Sequence, residues 1–382
     1  MYANNEHTAR TFEFLLTPVI ICSMSLSIAI VGLPNVGKST LFNALTDNNI
    51  LAANYPFATI EPNTGIVAVP DARLLKLAQM YQTKKVVPAT VTFIDIAGLV
   101  AGASNGEGLG NKFLSHIRSC NAIVQVVRTF SDSEVVHVDN DIDPATDIAV
   151  INTELVLADL QTVTNRIPKM EKEARSNPKL MPILETLNQA KQILDSGTPI
   201  FHTSEPLKTE YLADLQLLTA KPIIYLFNVD EKGLSDDAKK AQLTNLVAPA
   251  TALFVCAKLE SELRGLDDDD KTELLTSYAV SESGLTKLIH AASDILGLQT
   301  YLTAGADEVR AWTINQGASA PQAAGVIHGD FERGFIAAQI VDYDDLVSAG
   351  SEAAAKSAGK MRTEGKTYIM RPNDVVEFRF NV

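Results

Sequence analysis

Short apolar runs alternate with helix-favouring segments through the first third of the chain. Three runs, at residues 26–31, 91–95 and 122–127, are rich in β-branched residues and have the length of buried parallel strands. Residues 40–45, shortly after the first run, contain good helix formers and no helix breaker. This alternation predicts an α/β domain with a mostly parallel sheet.

The spacing of apolar positions changes near residue 148. Two series of apolar residues recur at intervals of three and four, which is the heptad spacing of a helical seam. The series are Val156, Leu160, Val163, Ile167 and Met170, followed by Leu180, Ile183, Leu187, Ala190 and Leu194. Residues 175–178 favour a turn, so residues 141–214 are predicted to form an antiparallel coiled-coil hairpin inserted into the α/β domain. Pro168 lies inside the first series and is expected to kink it.

The α/β pattern resumes after the hairpin and ends at Gly297. Residues 222–228 and 252–256 are predicted strands, and residues 284–296 form a closing helix. Residues 24–140 and 215–298 therefore make up the α/β domain. Beyond it, residues 299–382 are predicted to form a small β-rich domain of α+β type, with one helical stretch near residues 350–360. Its strand-like runs are residues 300–303, 308–314, 335–341 and 375–380.

Composition narrows the function classes. The chain has 382 residues, 46% of them apolar and 20% charged, which is ordinary for a globular protein of two or three domains. A net charge of −14 disfavours nucleic-acid binding outside a local basic patch. Cys22, Cys120 and Cys256 are widely spaced and form no C-x-x-C pair, which is typical of a reducing, cytoplasmic location.

Residues 1–23 are apolar but poorly suited to a membrane. They carry Glu6, Glu13 and Pro18 and are too short to span a bilayer. A short signal-peptide core is one interpretation. We favour an upstream extension, disordered or not native, before a natural start at Met24, and we expect no membrane association.

Residues 32–39, Gly-Leu-Pro-Asn-Val-Gly-Lys-Ser, complete the phosphate-binding pattern G-x-x-x-x-G-K-[ST]. Lys38 supplies a point charge for the β- and γ-phosphate oxygens, and the hydroxyl of Ser39 can bind Mg²⁺. The loop lies between a predicted strand and a helix N-terminus, whose free amides complete an anion site. The predicted phosphate contacts are Asn35, Val36, Gly37, Lys38, Ser39 and Thr40.

A second phosphate-side motif, D-x-x-G, follows at residues 95–98. Asp95 at a strand end can hold Mg²⁺ through water, and the amide of Gly98 can approach a γ-phosphate. Thr59 is our choice for the switch threonine that completes the Mg²⁺ shell, and Thr64 is the alternative. The candidate metal ligands are Ser39, Thr59 and Asp95.

The base-recognition segment departs from that of GTPases. In GTPases an Asn-Lys-x-Asp motif follows a late strand, and its aspartate accepts two guanine N–H groups. Here residues 228–231 read Asn-Val-Asp-Glu, so the lysine is missing and the carboxylate is longer. Guanine specificity should weaken, although Glu231 still accepting from guanine is the alternative. Candidate base contacts are Asn228, Val229 and Glu231, with Cys256 and Ala257 in the loop after the next strand.

Hydrolysis needs a group that positions the attacking water. Leu99 follows D-x-x-G where Ras-like proteins place a glutamine, and a leucine cannot hydrogen-bond water. His137 is the candidate replacement, acting near neutral pH, and a loop histidine without this role is the alternative. The candidate catalytic set is therefore His137, Lys38 and Gly98. Asn35 is a candidate K⁺ ligand or a simple loop residue.

Two charge clusters remain. Arg166, Lys169, Lys172, Arg175 and Lys179 gather near the predicted hairpin turn, interleaved with Glu171 and Glu173. They form either an RNA-facing tip or a solvated face. The run of aspartates at residues 267–270 is predicted to be a solvated loop without metal.

Together these motifs resemble the Obg-related YchF family, the Obg-like ATPases. The resemblance is carried by residues 32–39, 54–63, 95–100 and 228–231, and residues 309–314 and 328–335 resemble that family's TGS domain. It runs from Met24 to Val382, and implies a G domain, an inserted coiled coil and a TGS domain of ubiquitin-like β-grasp type. Leu99 matches the family's hydrophobic residue, and His137 matches the histidine to which its hydrolysis is assigned.

The resemblance also implies function. It points to slow Mg²⁺-dependent hydrolysis with ATP preferred over GTP, and to ribosome association (large subunit or 70S) in translational or stress control. Contacts to rRNA through the hairpin tip and the TGS domain belong to the same expectation. Residues 1–23, Pro168 and residues 260–283 depart from the family pattern. An Obg-class GTPase switch and a nucleotide-gated, non-catalytic ribosome-binding module remain the alternatives.

Overall fold

The computed structural model describes residues 26–47, 63–96, 109–130, 143–203 and 207–381. The strands in these ranges are β1 (Ser27–Val31), β2 (Thr64–Ala68), β3 (Val86–Val87), β4 (Thr90–Asp95), β5 (Ala122–Arg128), β6 (Ile223–Asn228), β7 (Thr251–Val255), β8 (Leu298–Ala304), β9 (Val309–Asn315), β10 (Phe335–Asp342), β11 (Arg362–Glu364) and β12 (Asp374–Phe380). The α-helices are α1 (Lys38–Asp47), α2 (Ala72–Tyr81), α3 (Leu109–Ser119), α4 (Pro144–Ser176), α5 (Met181–Asp195), α6 (Asp237–Val247), α7 (Ala257–Glu262), α8 (Asp268–Ser277), α9 (Gly284–Ile295), α10 (Ala320–Ile327), α11 (Gly329–Arg333), α12 (Tyr343–Ala349) and α13 (Glu352–Ser357). Short 3₁₀ helices are Pro178–Leu180, Ile200–His202, Thr209–Leu215 and Leu218–Ala220. Across these ranges, no helix combines the length and apolar character needed to cross a membrane.

The first sheet has the strand order β2-β4-β1-β5-β6-β7. Its strands pair in parallel except for β2, which runs antiparallel to β4. Every residue of β1, β5 and β6 is buried, as expected for parallel strands covered on both faces. The mostly parallel sheet predicted from the alternating pattern is thus observed, and the carboxyl ends of β1, β4 and β6 lie at one edge.

The two helices after the first five strands form a hairpin. The N-terminal half of α4 packs on the first sheet through Ile148, Ile151 and Leu155. Its C-terminal half packs on α5 through a buried set shared by both helices. That set contains Val156, Val163, Met170, Leu187, Ala190 and Leu194. The helix continues through Pro168, which is exposed, so the proline does not end it.

The second sheet has the strand order β11-β10-β12-β8-β9-β3. One of its two edge strands, β3, comes from the segment that the sequence pattern assigned to the first domain, and it pairs in parallel with β9. The expectation of one helical stretch in the C-terminal region was wrong. Besides α13 at Glu352–Ser357, this region contains α10, α11 and α12. These helices have at most eight residues, too few for a helical period to register in the sequence.

The aspartate run at residues 267–270 was also misassigned as a loop. Asp267 is the N-cap of α8, and its carboxylate accepts a hydrogen bond from the backbone N–H of Asp270 at 2.9 Å. Acidic residues are favoured at this position because they complement the helix dipole and the free N–H groups. The run therefore starts a helix.

The two sheets meet along α2 and β3. Leu74 and Leu77 of α2 are buried in a core that also contains Leu302, Val309 and Val341 of the second sheet. We call this contact of α2 with the second sheet, together with the pairing of β3 with β9, the seam. The seam thus connects the segment after β2, which starts at the phosphate side of the first sheet, to the C-terminal region.

Candidate nucleotide-binding site

The phosphate loop connects β1 to α1 at the carboxyl edge of the first sheet. Two positions need glycine. A Cβ on Gly37, whose φ is +90°, would overlap Nδ2 of Asn228, and one on Gly32 would lie 2.9 Å from the carbonyl oxygen of Val126. Asn35 also has a positive φ of 62°, which asparagine tolerates better than most residues. The loop is thereby packed closely against β5 and β6.

Lys38 and Asp95 form an ion pair across this edge. Lys38 is the first residue of α1, and Asp95 ends β4 beside Ile30 of β1. The Lys38 ammonium donates to Oδ1 of Asp95, and the two side chains are only 9% and 15% exposed. The pair places a cation and a carboxylate next to the loop amides, which is the charge arrangement that a phosphate–metal complex requires.

The remaining loop residues divide by exposure. Asn35, Ser39 and Thr40 are exposed, whereas the side chain of Val36 is buried. The Ser39 hydroxyl and the Asp95 carboxylate belong to the same edge of the sheet, because Ser39 follows Lys38, the ion-pair partner of Asp95. Both are oxygen donors, which Mg²⁺ prefers. The described residues contain no cluster of three or more His, Cys, Asp or Glu side chains that could hold a metal by itself.

Several predicted site residues lie outside the described residues. They are Thr59, Gly98, Leu99 and His137. Their assigned roles stay predictions. Thr64, the alternative switch threonine, is the first residue of β2 and pairs with Ile94 of β4.

Asn228 connects three segments around the loop. Its Nδ2 donates to the carbonyl of Val36 at 2.9 Å, and its Oδ1 accepts from the N–H of Ala257 at 3.1 Å. Its own carbonyl accepts from both the N–H and the hydroxyl of Thr129, each at 2.9 Å. The side chain is 2% exposed, so this network is fully desolvated and strong. The predicted base contact Asn228 therefore also fixes the phosphate loop relative to the base-binding loops.

The predicted base-binding loops carry one charged pair. Glu231 Oε1 accepts from Lys258 Nζ at 2.7 Å. This hydrogen bond lowers the pKa of Glu231 and raises that of Lys258. Val229 and Cys256 are buried, and burial raises the pKa of the Cys256 thiol. Ala257, at 9% exposed, begins α7.

Sequence reasoning missed two residues here. Lys258 was not among the candidate base contacts, because a pairing across 27 positions leaves no local signal. Thr129 binds the carbonyl of Asn228 from the end of β5. The polar residues Arg128 and Thr129 at the end of an apolar strand are the signal that could have revealed this edge.

Comparisons with known proteins identify the family. The MMR_HSR1 model, described as 50S ribosome-binding GTPase, matches residues 27–166. The YchF-GTPase_C model, described as protein of unknown function (DUF933), matches residues 298–381. The Ribosome-binding ATPase YchF of Bacillus subtilis is 50% identical over 368 residues, covering 94% of this chain and 100% of the relative. The chain belongs to the YchF family.

Further similar proteins extend this finding. The Ribosome-binding ATPase YchF of Escherichia coli O157:H7 is 46% identical over 366 residues, covering 94% of this chain and 100% of that protein. The structure of the Schizosaccharomyces pombe YchF GTPase has a TM-score of 0.83 at 39% identity, covering 93% of this chain and 98% of that one. A GTP binding protein from Pyrococcus horikoshii has a TM-score of 0.58 at 18% identity, covering 93% and 100%, and shows likeness of fold alone.

Proposed function

We propose that this chain is a slow, Mg²⁺-dependent ATPase of the cytoplasm whose nucleotide state governs its binding to ribosomes. The main support for this proposal is the edge of the first sheet, where the phosphate loop, the Lys38–Asp95 pair and the Asn228 network lie together. The predicted base-binding loop beside this edge lacks the lysine and the aspartate of the GTPase motif. Its relatives in Bacillus subtilis and Escherichia coli are named ribosome-binding ATPases.

On the phosphate side, each residue has one role. The amides of residues 35–40 hold the β- and γ-phosphates, and Lys38 exchanges Asp95 for a phosphate oxygen. Ser39 and Thr59 would hold Mg²⁺, and Asp95 would hold it through water. When bound, Mg²⁺ supplies positive charge at the phosphate oxygens. Asn35 is a candidate ligand for K⁺.

The hydrolytic step is assigned to groups around the γ-phosphate. The amide of Gly98 donates to a γ-phosphate oxygen, and Lys38 neutralises charge in the transition state. His137 orients the attacking water in place of the glutamine that Leu99 replaces. Because one imidazole substitutes for a pre-placed glutamine, we expect slow turnover without a partner.

On the base side, Glu231 faces the base, with Asn228, Val229, Cys256 and Ala257 forming the pocket around it. Because this set lacks a carboxylate free to accept two guanine N–H groups, it favours adenine. The Obg-class GTPase remains the second candidate, since one matching family model is described as a GTPase.

Ribosome contact is assigned to the hairpin tip and the C-terminal domain. At the tip, Lys169, Lys172, Arg175 and Lys179 are exposed, although Arg166 pairs with Glu173 at 3.7 Å and with Asp214 at 3.9 Å. A small basic surface on a chain of net charge −14 suits rRNA. We propose that α4–α5 is the family's coiled coil and that the C-terminal sheet with α10 is its TGS domain, of β-grasp type.

Two assays test the proposal. The first is competition of ATP and GTP against a fluorescent nucleotide, with phosphate release measured with and without EDTA. We expect ATP to bind more tightly and release to need Mg²⁺. A clear GTP preference would favour the Obg-class switch instead.

The second assay is co-sedimentation with 70S ribosomes and large subunits in ATP, ADP and GTP. We expect binding to depend on the nucleotide and to weaken in K169E/K172E, but not in K76E/K84E, a control pair of exposed lysines. Absence of sedimentation in every nucleotide state would contradict the ribosomal part. A His137→Ala variant that loses hydrolysis but keeps nucleotide-dependent sedimentation would support the non-catalytic module.

A further inference from the structure

The ion pair between Glu231 and Lys258 joins the two loops that were predicted to hold the base. Glu231 follows β6, and Lys258 lies in the first turn of α7, after β7. The N–O distance is 2.7 Å, and the Lys258 side chain is 70% exposed while that of Glu231 is 35% exposed. The pair is therefore at the surface and accessible to a ligand.

The backbone beneath the pair is fixed. Asn228 of β6 pairs in register with Val255 of β7, and the N–H of Val229 donates to the carbonyl of Val255 at 2.8 Å. The Asn228 side chain accepts from Ala257, the residue before Lys258. Both loops start from these hydrogen-bonded neighbouring strands, and this fixed starting geometry brings the Glu231 and Lys258 side chains together.

Other charged groups near the pair do not replace either partner. Lys232 adjoins Glu231 and supports its ionised form, and Glu262 supports the charge on Lys258. The Asp230 carboxylate accepts from the N–H of Gly233 at 2.8 Å. Lys258 remains the cation in hydrogen-bond contact with Glu231.

The hydrogen-bonding groups of the purine bases suggest how this ion pair affects the choice between adenine and guanine. Guanine presents two adjacent donors, N1–H and the 2-amino group, which a free carboxylate accepts with both oxygens. Adenine presents an acceptor, N1, beside a donor, the 6-amino group. A carboxylate with one oxygen held by an ammonium offers one acceptor beside one donor. This combination matches the N1 and 6-amino edge of adenine, whereas it no longer presents two free oxygens to the N1–H and 2-amino groups of guanine.

We propose that Lys258 is a specificity-determining residue, which holds one oxygen of Glu231 and so turns a guanine-type acceptor into a mixed donor–acceptor edge for adenine. This inference rests on the proposed function only in placing the base at this loop. Lys258 acts as a positioning residue for Glu231. Because an exposed ion pair contributes little to stability, its removal should leave the fold intact.

The test compares Lys258→Met with Lys232→Met, a control that removes a neighbouring exposed lysine. Dissociation constants for ATP, GTP and ITP are measured by displacement of a fluorescent ADP analogue. In K258M we expect the ratio of GTP to ATP affinity to rise about tenfold, because one well-placed hydrogen-bonding group is worth roughly that factor. ITP, which lacks the 2-amino group, should gain less than GTP.

Three outcomes would overturn the proposal. They are an affinity ratio in K258M within about twofold of wild type, an equal shift in K232M, and an equal gain for ITP and GTP. Glu231→Gln gives a second check, since its amide itself offers one acceptor beside one donor and should retain ATP preference. Failure of the unsubstituted protein to bind either triphosphate would instead contradict the proposed function, so the two failures are distinguishable.

Discussion

Two cation–aspartate pairs lie at opposite ends of the β2–β4 region, and they are built differently. Lys38 and Asp95 meet at the phosphate edge through one ammonium contact. Arg73 and Asp71 meet at the seam, where the guanidinium engages both carboxylate oxygens, at 2.9 and 2.7 Å. Their side chains are comparably buried, at 9% and 15% against 23% and 13%. The degree of burial therefore does not distinguish the two ion pairs.

The difference lies in what else each cation holds. Arg73 also donates to the carbonyl of Pro372 at 2.6 Å, to Asn373 Oδ1 at 3.0 Å and to the Thr300 hydroxyl at 3.2 Å. A planar fork with several acceptors is fixed in place, whereas a lysine ammonium is a point charge that can change partner. The Lys38–Asp95 pair at the phosphate edge is therefore built to exchange partners, whereas the Arg73–Asp71 pair at the seam is structural.

The largest expected effect is loss of hydrolysis in Lys38→Met. Removing this cation should lower the rate of phosphate release by at least about 100-fold, since we propose that its charge is aimed at the transferred phosphoryl group. The free energy of unfolding should change much less than the rate, and K38M/D95N should recover the stability that K38M loses by leaving Asp95 unpaired. The rate is checked by phosphate release and the stability by urea denaturation. A double variant that regained hydrolysis would show that the pair is structural after all.

The second effect is a loss of stability in Arg73→Ala. This variant removes the guanidinium donors from Asp71 and from three further acceptors, and should cost about 2 kcal/mol of unfolding free energy. Arg73→Lys should recover less than half of it, because an ammonium cannot serve these acceptors together. Urea denaturation followed by fluorescence of Trp312, the single tryptophan, reports the second sheet.

A control belongs beside this measurement. Arg333→Ala removes an arginine that is 81% exposed in its pair with Asp330, and should leave stability nearly unchanged. Nucleotide affinity should also be unaffected by R73A. An R73A protein as stable as R333A would mean that the fork at the seam is incidental.

The smallest effect is expected for Lys85→Met, at the same seam. Lys85 pairs with Glu308 at 2.6 Å, but its side chain is 68% exposed. Such a pair is screened by solvent, and we expect a change in unfolding free energy below about 0.5 kcal/mol. Urea denaturation at low and high salt checks this. A loss as large as that of R73A would show that position in the seam, rather than burial and geometry, sets the contribution.

The sequence predicted elements that have a long, distinctive apolar pattern, and motifs whose residues are close together in the chain. β1, β5 and β6 were found because buried parallel strands are continuous apolar runs, and the phosphate loop because its spacing is specific. The two-residue strand β3 and the short helices α10–α12 left no period to detect. The roles of Thr59, Gly98 and His137 stay predictions, since these residues lie outside the described ranges.

Contacts between distant positions were beyond the sequence. Arg73 meets Thr300 and Asn373 across 227 and 300 positions, and nothing in the local pattern near residue 73 signals a partner there. The same holds for Asn228 and Val36, which are 192 positions apart. A motif indicates which chemical groups a site needs. The folded structure is required to show which distant backbone and side-chain groups hold them in place.

The place of β3 in the second sheet also limits how this protein can be divided. The chain leaves the first sheet after β2, contributes α2 and an edge strand to the second, and returns as β4. A fragment starting at Leu298, where the C-terminal family match begins, would lack that edge strand and would bare Leu302 and Val309 to water. The boundary of homology is thus not a boundary of folding. Transplanting the C-terminal region would require carrying residues 69–89 with it.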